Sequence, residues 1–563
     1  MNNIEGNFCI SEKVSKDISQ MLPKHKIDPT KCETSICIGM FFDGTNNNKD
    51  VDYPSKSHSN VARLYDAYFA DATQGYYKFY VAGVGTVFPA VGDMEPSTKG
   101  SAFGVGCEAR IIFGILCVFN TISDKVLKEE FFDGGEVLAL CSTGTGANKA
   151  LKKILSDLGL SCGLCDAQPG LRLRFLKKCE EDLGRKIREK SSPVIKEIFI
   201  DVFGFSRGAA ESRVFCSWLS EIFHENQLVG IDIRFRFLGI FDTVASAGIA
   251  GSVIDSMTNV TGPHYGWASI GNLRVGKVVK NCVHFVAMHE IRRNFPLDEI
   301  GVNGILEAGH IQIAYPGSHS DVGGGYAPGE LGISVGKNDS EGDALKLSQI
   351  PLNHMFEYAK LVGVPLNKSI TVDDGYDPFA VSRTLSNAFT CFIQESGTRP
   401  RRMHEWMQTY LNWRWQLGKS FERSLQMQRS SNIDKELLKD SNAQLIRDGN
   451  LLLSTGDVKV AEMHVKTAEE GKRNSIYDGK YAQQSLEIPQ FDLEAVKVVN
   501  DAKAASLVSP AIASFFDNFV HDSLAGFRKS MVESSGYWRY RKAFRGTDKV
   551  LFAAQENSDV KIS

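Results

Sequence analysis

The 563-residue sequence lacks the features that direct a chain to nucleic acid, into a bilayer or through a secretory pathway. Lysine and arginine number 64 against 67 aspartates and glutamates, a net charge of −3, so no overall positive field attracts nucleic acid. Residues 1–9 are polar and carry Glu5, unlike the basic start and apolar core of an ordinary secretory signal. The uncharged apolar stretch 111–123 is shorter than the about 20 residues that a bilayer requires, and it predicts a buried helix.

The sequence also lacks a regular cysteine framework and a complete phosphate-binding loop. Its 12 cysteines are scattered, which is typical of small buried side chains in a reducing compartment. Cys162 and Cys165 form one CxxC, with Cys179 further on, but no second pair stands at zinc-site spacing. We therefore expect buried thiols or a local disulfide there and no metal. The segment 144–149 lacks the Gly-Lys-Ser/Thr ending of a P-loop, and 104–106 lacks the third glycine of a dinucleotide fingerprint, so no cofactor is expected.

The most informative stretch present is Gly204-Phe205-Ser206-Arg207-Gly208. It follows an apolar run, 197–203, that predicts a buried strand, and it precedes a helix-like segment that runs to Phe223. A strand, a glycine-flanked serine and a helix are the context that a nucleophilic serine requires. Side chains two residues before and after the serine would collide in so sharp a turn, and glycine at both places removes that collision. An idle serine in a structural turn is the alternative.

Strand-like and helix-like segments alternate from about residue 35 to residue 325. Strands are predicted at 36–42, 76–84, 137–141, 195–203, 233–241 and 311–315, with helices such as 171–190 between them. Such alternation predicts an α/β fold, a mostly parallel sheet with helices on both faces. Ligands of these sheets bind beyond the carboxyl ends of the strands.

Four segments are predicted along the chain. Residues 1–30 form a polar N-terminal extension, 31–340 the α/β core, 341–505 a mainly helical cap or insertion, and 506–563 a C-terminal segment packed on the core. Within the last, 536–545 alternates aromatic with basic residues. That run suits either an edge strand whose arginines are solvated or a contact with membrane headgroups.

A nucleophilic serine needs a base, and the base needs a carboxylate that orients it. His319 lies in a glycine-rich loop, 316–326, just after a predicted strand, and is the predicted base. Asp242 ends the predicted strand 233–241 and is the predicted acid, with Asp255 in the following loop as the alternative. Asp321 is expected to hold the histidine loop rather than to titrate.

Other histidines compete with His319 for the role of base. His284 and His289 lie in a segment predicted as a helix, 279–295, where they are expected to be packed. His310 begins the strand before the glycine-rich loop. His521 stands beside an aspartate in a helix-like C-terminal segment and is the strongest rival.

An oxyanion hole needs two backbone N–H groups. The residue after the serine, Arg207, is predicted to supply one. The early strand 36–42 stops at an Asp-Gly turn, so Gly44 or Thr45 is predicted to supply the other. Asp43, in the same turn, is expected to stabilise that loop instead.

Four ordered motifs, FFDGTNNN (41–48), GFSRGAAESR (204–213), FDTVAS (241–246) and PGSHSDVGGGY (316–326), resemble a known α/β-hydrolase family. That family of bacterial and fungal proteins includes the type VI secretion phospholipase effectors of the first lipase class. The resemblance covers roughly residues 35–330, and more loosely 521–527 and 536–541.

The resemblance implies a Ser-Asp-His triad and an antibacterial phospholipase A activity on membrane phospholipid. Carried across by motif, Ser206 is the nucleophile, His319 the base and Asp242 the acid. Such effectors are made in the cytoplasm without a signal peptide, delivered by a spike protein into a neighbour's periplasm, and blocked by a cognate immunity protein. A soluble-ester hydrolase and an inactive hydrolase fold used for binding are the alternatives.

Overall fold

The computed structural model describes residues 34–97, 105–143, 148–190, 195–245, 266–292, 295–373, 375–397, 403–454, 494–527, 536–538, 540–546 and 550–551. All statements below concern this part of the chain. The N-terminal extension predicted at 1–30 and the alternative acid Asp255 lie outside it.

A mostly parallel sheet is the centre of the fold. The strands are β1 (Thr34–Phe42), β2 (Tyr76–Val81), β3 (Ile195–Phe205), β4 (Gln227–Leu228), β5 (Ile231–Phe241), β6 (Cys282–Ala287), β7 (Leu297–Asp298), β8 (His310–Tyr315), β9 (Ala543–Phe544) and β10 (Val550–Leu551). The main sheet has the order β2-β1-β3-β5-β6-β8, with every neighbouring pair parallel. The short strand β4 pairs with β5 antiparallel, and β7, β9 and β10 form a small separate sheet.

Helices connect and cover these strands. The α-helices span Lys49–Asp52, Asn60–Ala67, Cys107–Leu127, Gly134–Cys141, Lys149–Asp157, Pro169–Glu189, Arg207–Ser220, Ile270–Leu273, His319–Gly323, Asp339–Asp343, Gln349–Leu361, Arg383–Ser396, Met403–Leu417, Leu425–Arg429, Asn432–Ser454 and Pro510–Phe519. Within the described ranges, no helix is both long enough and apolar enough to cross a bilayer. The predicted α/β class, with helices on both faces of the sheet, is confirmed.

Each face of the sheet carries its own apolar core, because side chains alternate along a strand. Ile38 of β1 and Ile200 of β3 belong to a core that the helices Cys107–Leu127 and Arg207–Ser220 cover. Phe41 of β1 and Phe203 of β3 face the other way, where their rings stack at 5.0 Å.

The helices beyond residue 340 cover the second face. The core around Phe41 includes Met355 of Gln349–Leu361, Phe392 of Arg383–Ser396, and Phe516 of Pro510–Phe519. The helices Gln349–Leu361 and Arg383–Ser396 of the predicted cap thus lie on one side of the sheet and share its core, while the exact division of the chain into four segments stays a prediction.

Two predicted elements are wrong. Residues 137–141, predicted as a strand, belong to the helix Gly134–Cys141, because Asp133 and Glu136 cap its first turn by exchanging side-chain hydrogen bonds with each other's backbone N–H groups. The segment 279–295, predicted as a helix, contains β6, which is buried along its whole length. An apolar run of six residues is a typical length for a strand that is covered on both faces.

The aromatic and basic run at the C-terminus is also different from both predictions. Tyr537 and Trp538 are buried, and so are the side chains of Arg541 and Arg545. The run packs on the body through β9, which pairs with β7, but Arg541 and Arg545 are not solvated, and the four buried side chains are not available to a membrane surface.

Candidate active site

Ser206 stands in the turn between β3 and the helix Arg207–Ser220, in a strained backbone conformation. Its φ of 57° and ψ of −121° lie in a region that costs about 1–3 kcal/mol for a residue with a side chain. The turn is held by hydrogen bonds on both sides: the N–H of Ser206 donates to Phe241 O at 3.0 Å, and its carbonyl accepts from Val244 N at 3.2 Å. The structure therefore ties this serine to the end of β5.

The flanking glycines are required by close backbone approach, as predicted. A Cβ on Gly204 would lie 2.3 Å from Ser212 Oγ, and one on Gly208 would lie 2.3 Å from Phe42 O and 2.4 Å from Asp43 O. The helix after Ser206 consequently begins directly against the end of β1, which is where the predicted oxyanion loop starts.

His319 begins a short helix just after β8. Asp321 holds this turn, since the N–H and the hydroxyl of Ser318 both donate to Asp321 Oδ2 at 2.9 Å, which confirms the loop-holding role predicted for Asp321. The imidazole of His319 packs on the ring of Phe205 with 4.6 Å between centroids. His319 therefore packs on the residue that directly precedes Ser206 in the chain.

The glycine-rich loop allows this approach. A Cβ on Gly323 would lie 2.0 Å from the ring of Phe205, and one on Gly324 would lie 2.7 Å from Asn60 N. Gly324 also has a φ of 82°, which favours glycine. The loop is glycine-rich because the His319 helix packs directly on the residue before the serine.

Asp242 follows β5, at the same edge of the sheet as Ser206. Its Oδ2 lies 2.5 Å from His319 Nδ1. Its Oδ1 accepts from Ala287 N at 2.8 Å, which ties it to the end of β6. The guanidinium of Arg541 donates to both oxygens, Nη1 to Oδ1 at 2.8 Å and Nη2 to Oδ2 at 2.7 Å. The carboxylate therefore has four donors around it and is fully buried.

The charges at this pair favour a neutral imidazole next to an ionised carboxylate. Burial alone would raise the pKa of Asp242, but Arg541 and the hydrogen bond with His319 outweigh it and hold this pKa well below its usual range. Burial lowers the pKa of His319, and the bond to Asp242 opposes that without cancelling it. At neutral pH the imidazole is thus free to accept a proton at Nε2.

The predicted oxyanion loop is braced by Asp43. Its Oδ1 accepts from Gly44 N at 2.8 Å, and its Oδ2 accepts from the hydroxyl of Tyr80 at 2.5 Å. Burial raises the pKa of Asp43 to about 6. Because the N–H of Gly44 is engaged by Asp43, Thr45 is the better of the two predicted donors. Its hydroxyl is buried and has no hydrogen-bond partner in the described part of the chain.

The competing histidines have structural partners. His284 lies in β6, where its Nε2 accepts from Thr243 N at 3.1 Å, and burial lowers its pKa to about 3. His289 accepts from Gly317 N at 2.9 Å through Nδ1 and has a similarly lowered pKa. His310 lies 2.9 Å from Val279 O through Nε2.

His521, the strongest rival in the sequence, pairs with a different carboxylate. Its Nδ1 lies 2.6 Å from Asp321 Oδ1, and its ring stacks on Tyr326 at 3.7 Å between centroids. It therefore supports the loop that carries His319. We find no group of three His, Cys, Asp or Glu side chains placed to hold a metal among the described residues. Cys162 and Cys165 are free thiols.

Sequence reasoning missed Arg541. The available signal was the density of arginines among aromatic residues at 536–545. Arginines that are buried with aromatic side chains need an acidic partner, and Asp242 and Glu299 are those partners.

A parallel sheet with a strained serine after β3, an aspartate after β5 and its histidine partner after β8 defines the α/β-hydrolase class. Comparison with known proteins agrees. The family model described as the catalytic domain of the Tle1-like phospholipase effectors of the type VI secretion system (T6SS) matches residues 37–222 and 220–358. That is more than half of the chain, and the chain belongs to this family of lipolytic effectors.

Two solved structures are similar to this chain. The crystal structure of an uncharacterized protein from Pseudomonas aeruginosa has 24% sequence identity and a TM-score of 0.67, over 95% of this chain and 81% of that one. It shows a shared fold. The structure of the Tle1 effector bound to the VgrG spike has 17% identity and a TM-score of 0.34, over 68% of this chain and 87% of that one. No curated protein sequence matches the chain.

Proposed function

We propose that this protein is an antibacterial phospholipase A that hydrolyses acyl esters of membrane glycerophospholipids through Ser206. The observation that carries the proposal is the contact of 2.5 Å between His319 Nδ1 and Asp242 Oδ2, with the same imidazole packed on Phe205. Membership of the Tle1-like family supports the substrate class.

The proposed reaction has two halves. Ser206 Oγ attacks the acyl carbonyl carbon while His319 Nε2 takes the hydroxyl proton and then gives it to the leaving alcohol oxygen. Asp242 holds Nδ1 and stabilises the imidazolium. Water, deprotonated by His319 Nε2, then attacks the carbonyl carbon of the acyl-serine ester. The bond from that carbon to Ser206 Oγ breaks, His319 returns the proton to Oγ, and the fatty acid leaves.

The oxyanion of each tetrahedral intermediate would be held by the backbone N–H of Arg207 and by Thr45. Such donors contribute about 3–4 kcal/mol each in serine hydrolases. The support here is the packing of Gly208 on the carbonyls of Phe42 and Asp43, which joins the start of the serine helix to the Thr45 loop.

Delivery is proposed from the family alone. The protein would be made in the bacterial cytoplasm, leave on a type VI secretion spike protein, and act on membrane phospholipid from the periplasm of the target cell. A cognate immunity protein would protect the producer. Co-purification with spike and immunity candidates from the producing strain tests these partners.

Lipid product analysis tests the activity. Phospholipid vesicles are incubated with wild type and with Ser206→Ala, and free fatty acid and lysophospholipid are quantified. We expect both products from wild type and neither from the variant. Undiminished release by Ser206→Ala would refute the mechanism.

Two further assays test the alternative functions, a soluble-ester hydrolase and an inactive binding protein. A preference for short-chain soluble esters over vesicles would replace the phospholipase by a soluble-ester hydrolase. Failure of a fluorophosphonate probe to label Ser206 in a folded protein would indicate a hydrolase fold used only for binding. The lysophospholipid isomer released would show which acyl position is cleaved.

A further inference from the structure

Arg541 binds the proposed triad acid from a position almost three hundred residues further along the chain. We propose that Arg541 is a positioning residue, which orients the carboxylate of Asp242 and limits how strongly that carboxylate stabilises protonated His319. Docking of the C-terminal run 537–545 is then a condition of full activity. This inference rests on the proposed function.

The contact has the geometry of orientation rather than of simple charge pairing. Each Nη atom donates to a different carboxylate oxygen, Nη1 to Oδ1 at 2.8 Å and Nη2 to Oδ2 at 2.7 Å, and this fork fixes the plane of the carboxylate. The third donor, Nε, bonds to Phe295 O. The ring of Phe295 packs edge-on against His319 at 5.1 Å between centroids. Arg541 thus holds both the acid and one wall of the histidine site.

The charge of Arg541 acts on the base through the shared acid. In a triad with an unshared carboxylate, the full negative charge stabilises the imidazolium. Here the Arg541 and Asp242 side chains are both fully buried, so the guanidinium offsets much of that charge at a short distance. Arg541 should therefore keep His319 in its neutral, proton-accepting form to lower pH.

The other two carboxylates near His319 also have partners. Glu290 Oε2 accepts from His319 N at 3.1 Å, and the same carboxylate is bound by Arg292 at 2.9 Å. Asp321, on the helix of His319, is bound by His521. The Asp242–Arg541 pair is thus the one whose carboxylate also bonds the imidazole itself.

The C-terminal part reaches the histidine loop at a second point, which supports a docking role. His521 N donates to Asp321 Oδ2 at 3.1 Å, and Ser523 Oγ donates to Glu290 Oε1 at 2.9 Å. Residues 521–523 therefore bind the histidine loop and Glu290, while Arg541 binds Asp242. Both contacts come from the same end of the chain.

The pH dependence of kcat/KM tests the inference. Arg541→Met keeps much of the side-chain length and removes the charge, while Arg541→Lys keeps the charge and loses the fork. Arg545→Met is the matched control, since it removes a buried arginine of the same run whose partner is Glu299. Acid release from a short-chain ester is followed in a pH-stat, with circular dichroism to verify folding.

We expect the acidic limb of kcat/KM to move to higher pH by about 1 unit in Arg541→Met, because a neighbouring charge shifts a buried group by about 1–3 units. Arg541→Lys should have the same acidic limb of kcat/KM as wild type, because the charge is kept. Its kcat should be about tenfold lower, since the orientation of the Asp242 carboxylate is lost. Arg545→Met should leave the limb in place.

If the folded Arg541→Met protein has the same acidic limb of the kcat/KM profile as wild type, the inference is overturned and Arg541 has only a structural role. If that variant does not fold, an Arg541→Lys enzyme with the kcat of wild type would overturn it instead. Ser206→Ala, assayed alongside, keeps the two ideas apart. Its activity would refute the proposed function, whereas an inactive Ser206→Ala with an unmoved limb refutes the inference about Arg541 alone.

Discussion

Replacing Asp242 by asparagine should distinguish what this carboxylate contributes to the stability of the fold from what it contributes to kcat. Oδ1 receives Ala287 N and Arg541 Nη1, while Oδ2 receives His319 Nδ1 and Arg541 Nη2. An amide keeps one acceptor oxygen, which can stay at the Oδ1 position. Its NH₂ group then faces two donors at the Oδ2 position, so two charge-assisted hydrogen bonds are lost.

The expected loss of stability follows from those two bonds. A hydrogen bond to a charged group is worth about 1.5–3 kcal/mol, so two lost bonds amount to about 3–6 kcal/mol. A second estimate starts from the guanidinium: removing one partner of a buried ion pair costs about 3–5 kcal/mol. This range agrees with the sum for the two hydrogen bonds. The imidazole can avoid the clash by moving its proton from Nδ1 to Nε2, which is the wrong tautomer for a base, and kcat should fall by about 10⁴.

The double variant Asp242→Asn/Arg541→Met distinguishes the two effects. Removal of the unpaired cation should restore most of the lost stability, while kcat should stay low because the base keeps the wrong tautomer. Denaturant midpoints followed by tryptophan fluorescence give the first quantity, and ester hydrolysis at saturating substrate gives the second. A loss below about 1 kcal/mol in Asp242→Asn, or recovered activity in the double variant, would refute this reasoning.

Two further variants probe the supports of the site. Gly323→Ala places a Cβ 2.0 Å from the Phe205 ring, so His319 must shift and kcat should fall about 100-fold. Gly134→Ala is the control, because nothing lies within 4 Å of a Cβ at that position. Equal kcat values in the two variants would contradict the packing argument. Asp43 has a pKa raised from 3.8 to about 6 by burial, so its folded state binds a proton more tightly than the unfolded chain and stability is lost as pH rises from 4 through 6. Asp43→Asn should remove that loss, of which about 2 kcal/mol falls between pH 4.5 and pH 7.5 at about 1.36 kcal/mol per pKa unit, in denaturation midpoints measured at those two pH values. The same pH slope in variant and wild type would show that Asp43 is not the group responsible.

The sequence was sufficient for strands β1, β2, β3, β5 and β8 of the main sheet and for the residues at the ends of β3 and β5. The turn at Ser206 was predictable because the glycines at 204 and 208 are a direct consequence of backbone contact. The position of Asp242 was predictable because it ends an apolar run predicted as a strand, and the structure pairs Phe241 with Phe205 in the sheet. Residues that follow paired positions of neighbouring parallel strands must lie at one edge.

The errors have local causes. The segment 279–295 contains an apolar run too short to show a helical or a strand period, and a run of this kind is decided by the sheet that it joins. Residues 137–141 were assigned from their apolar character, whereas the capping pair Asp133 and Glu136 decides for a helix. In both cases the decisive information lay outside the apolar run itself.

Arg541 could not have been assigned to Asp242 from sequence, because nothing in either segment specifies the partner of the other across 299 positions. The physical argument that was available is weaker but general. A guanidinium amid tryptophan and tyrosine is either at a surface or paired with a buried acid. Both interpretations of this run placed its arginines at a surface, and the burial of Arg541 and Arg545 shows that this is wrong for these two.

The energetic character of the Asp242–Arg541 pair bears on its role. A buried ion pair gains little over a well-packed apolar pair, because removing two charges from water offsets most of their attraction. Stability alone therefore gives no reason for an arginine at this place, where the rest of the run supplies aromatic packing through Tyr537, Trp538 and Phe544. What an apolar side chain cannot supply is a fixed carboxylate plane and a positive charge next to the acid. Both act on His319, so the functional consequence of this pair is to be found in the pH profile rather than in the unfolding curve.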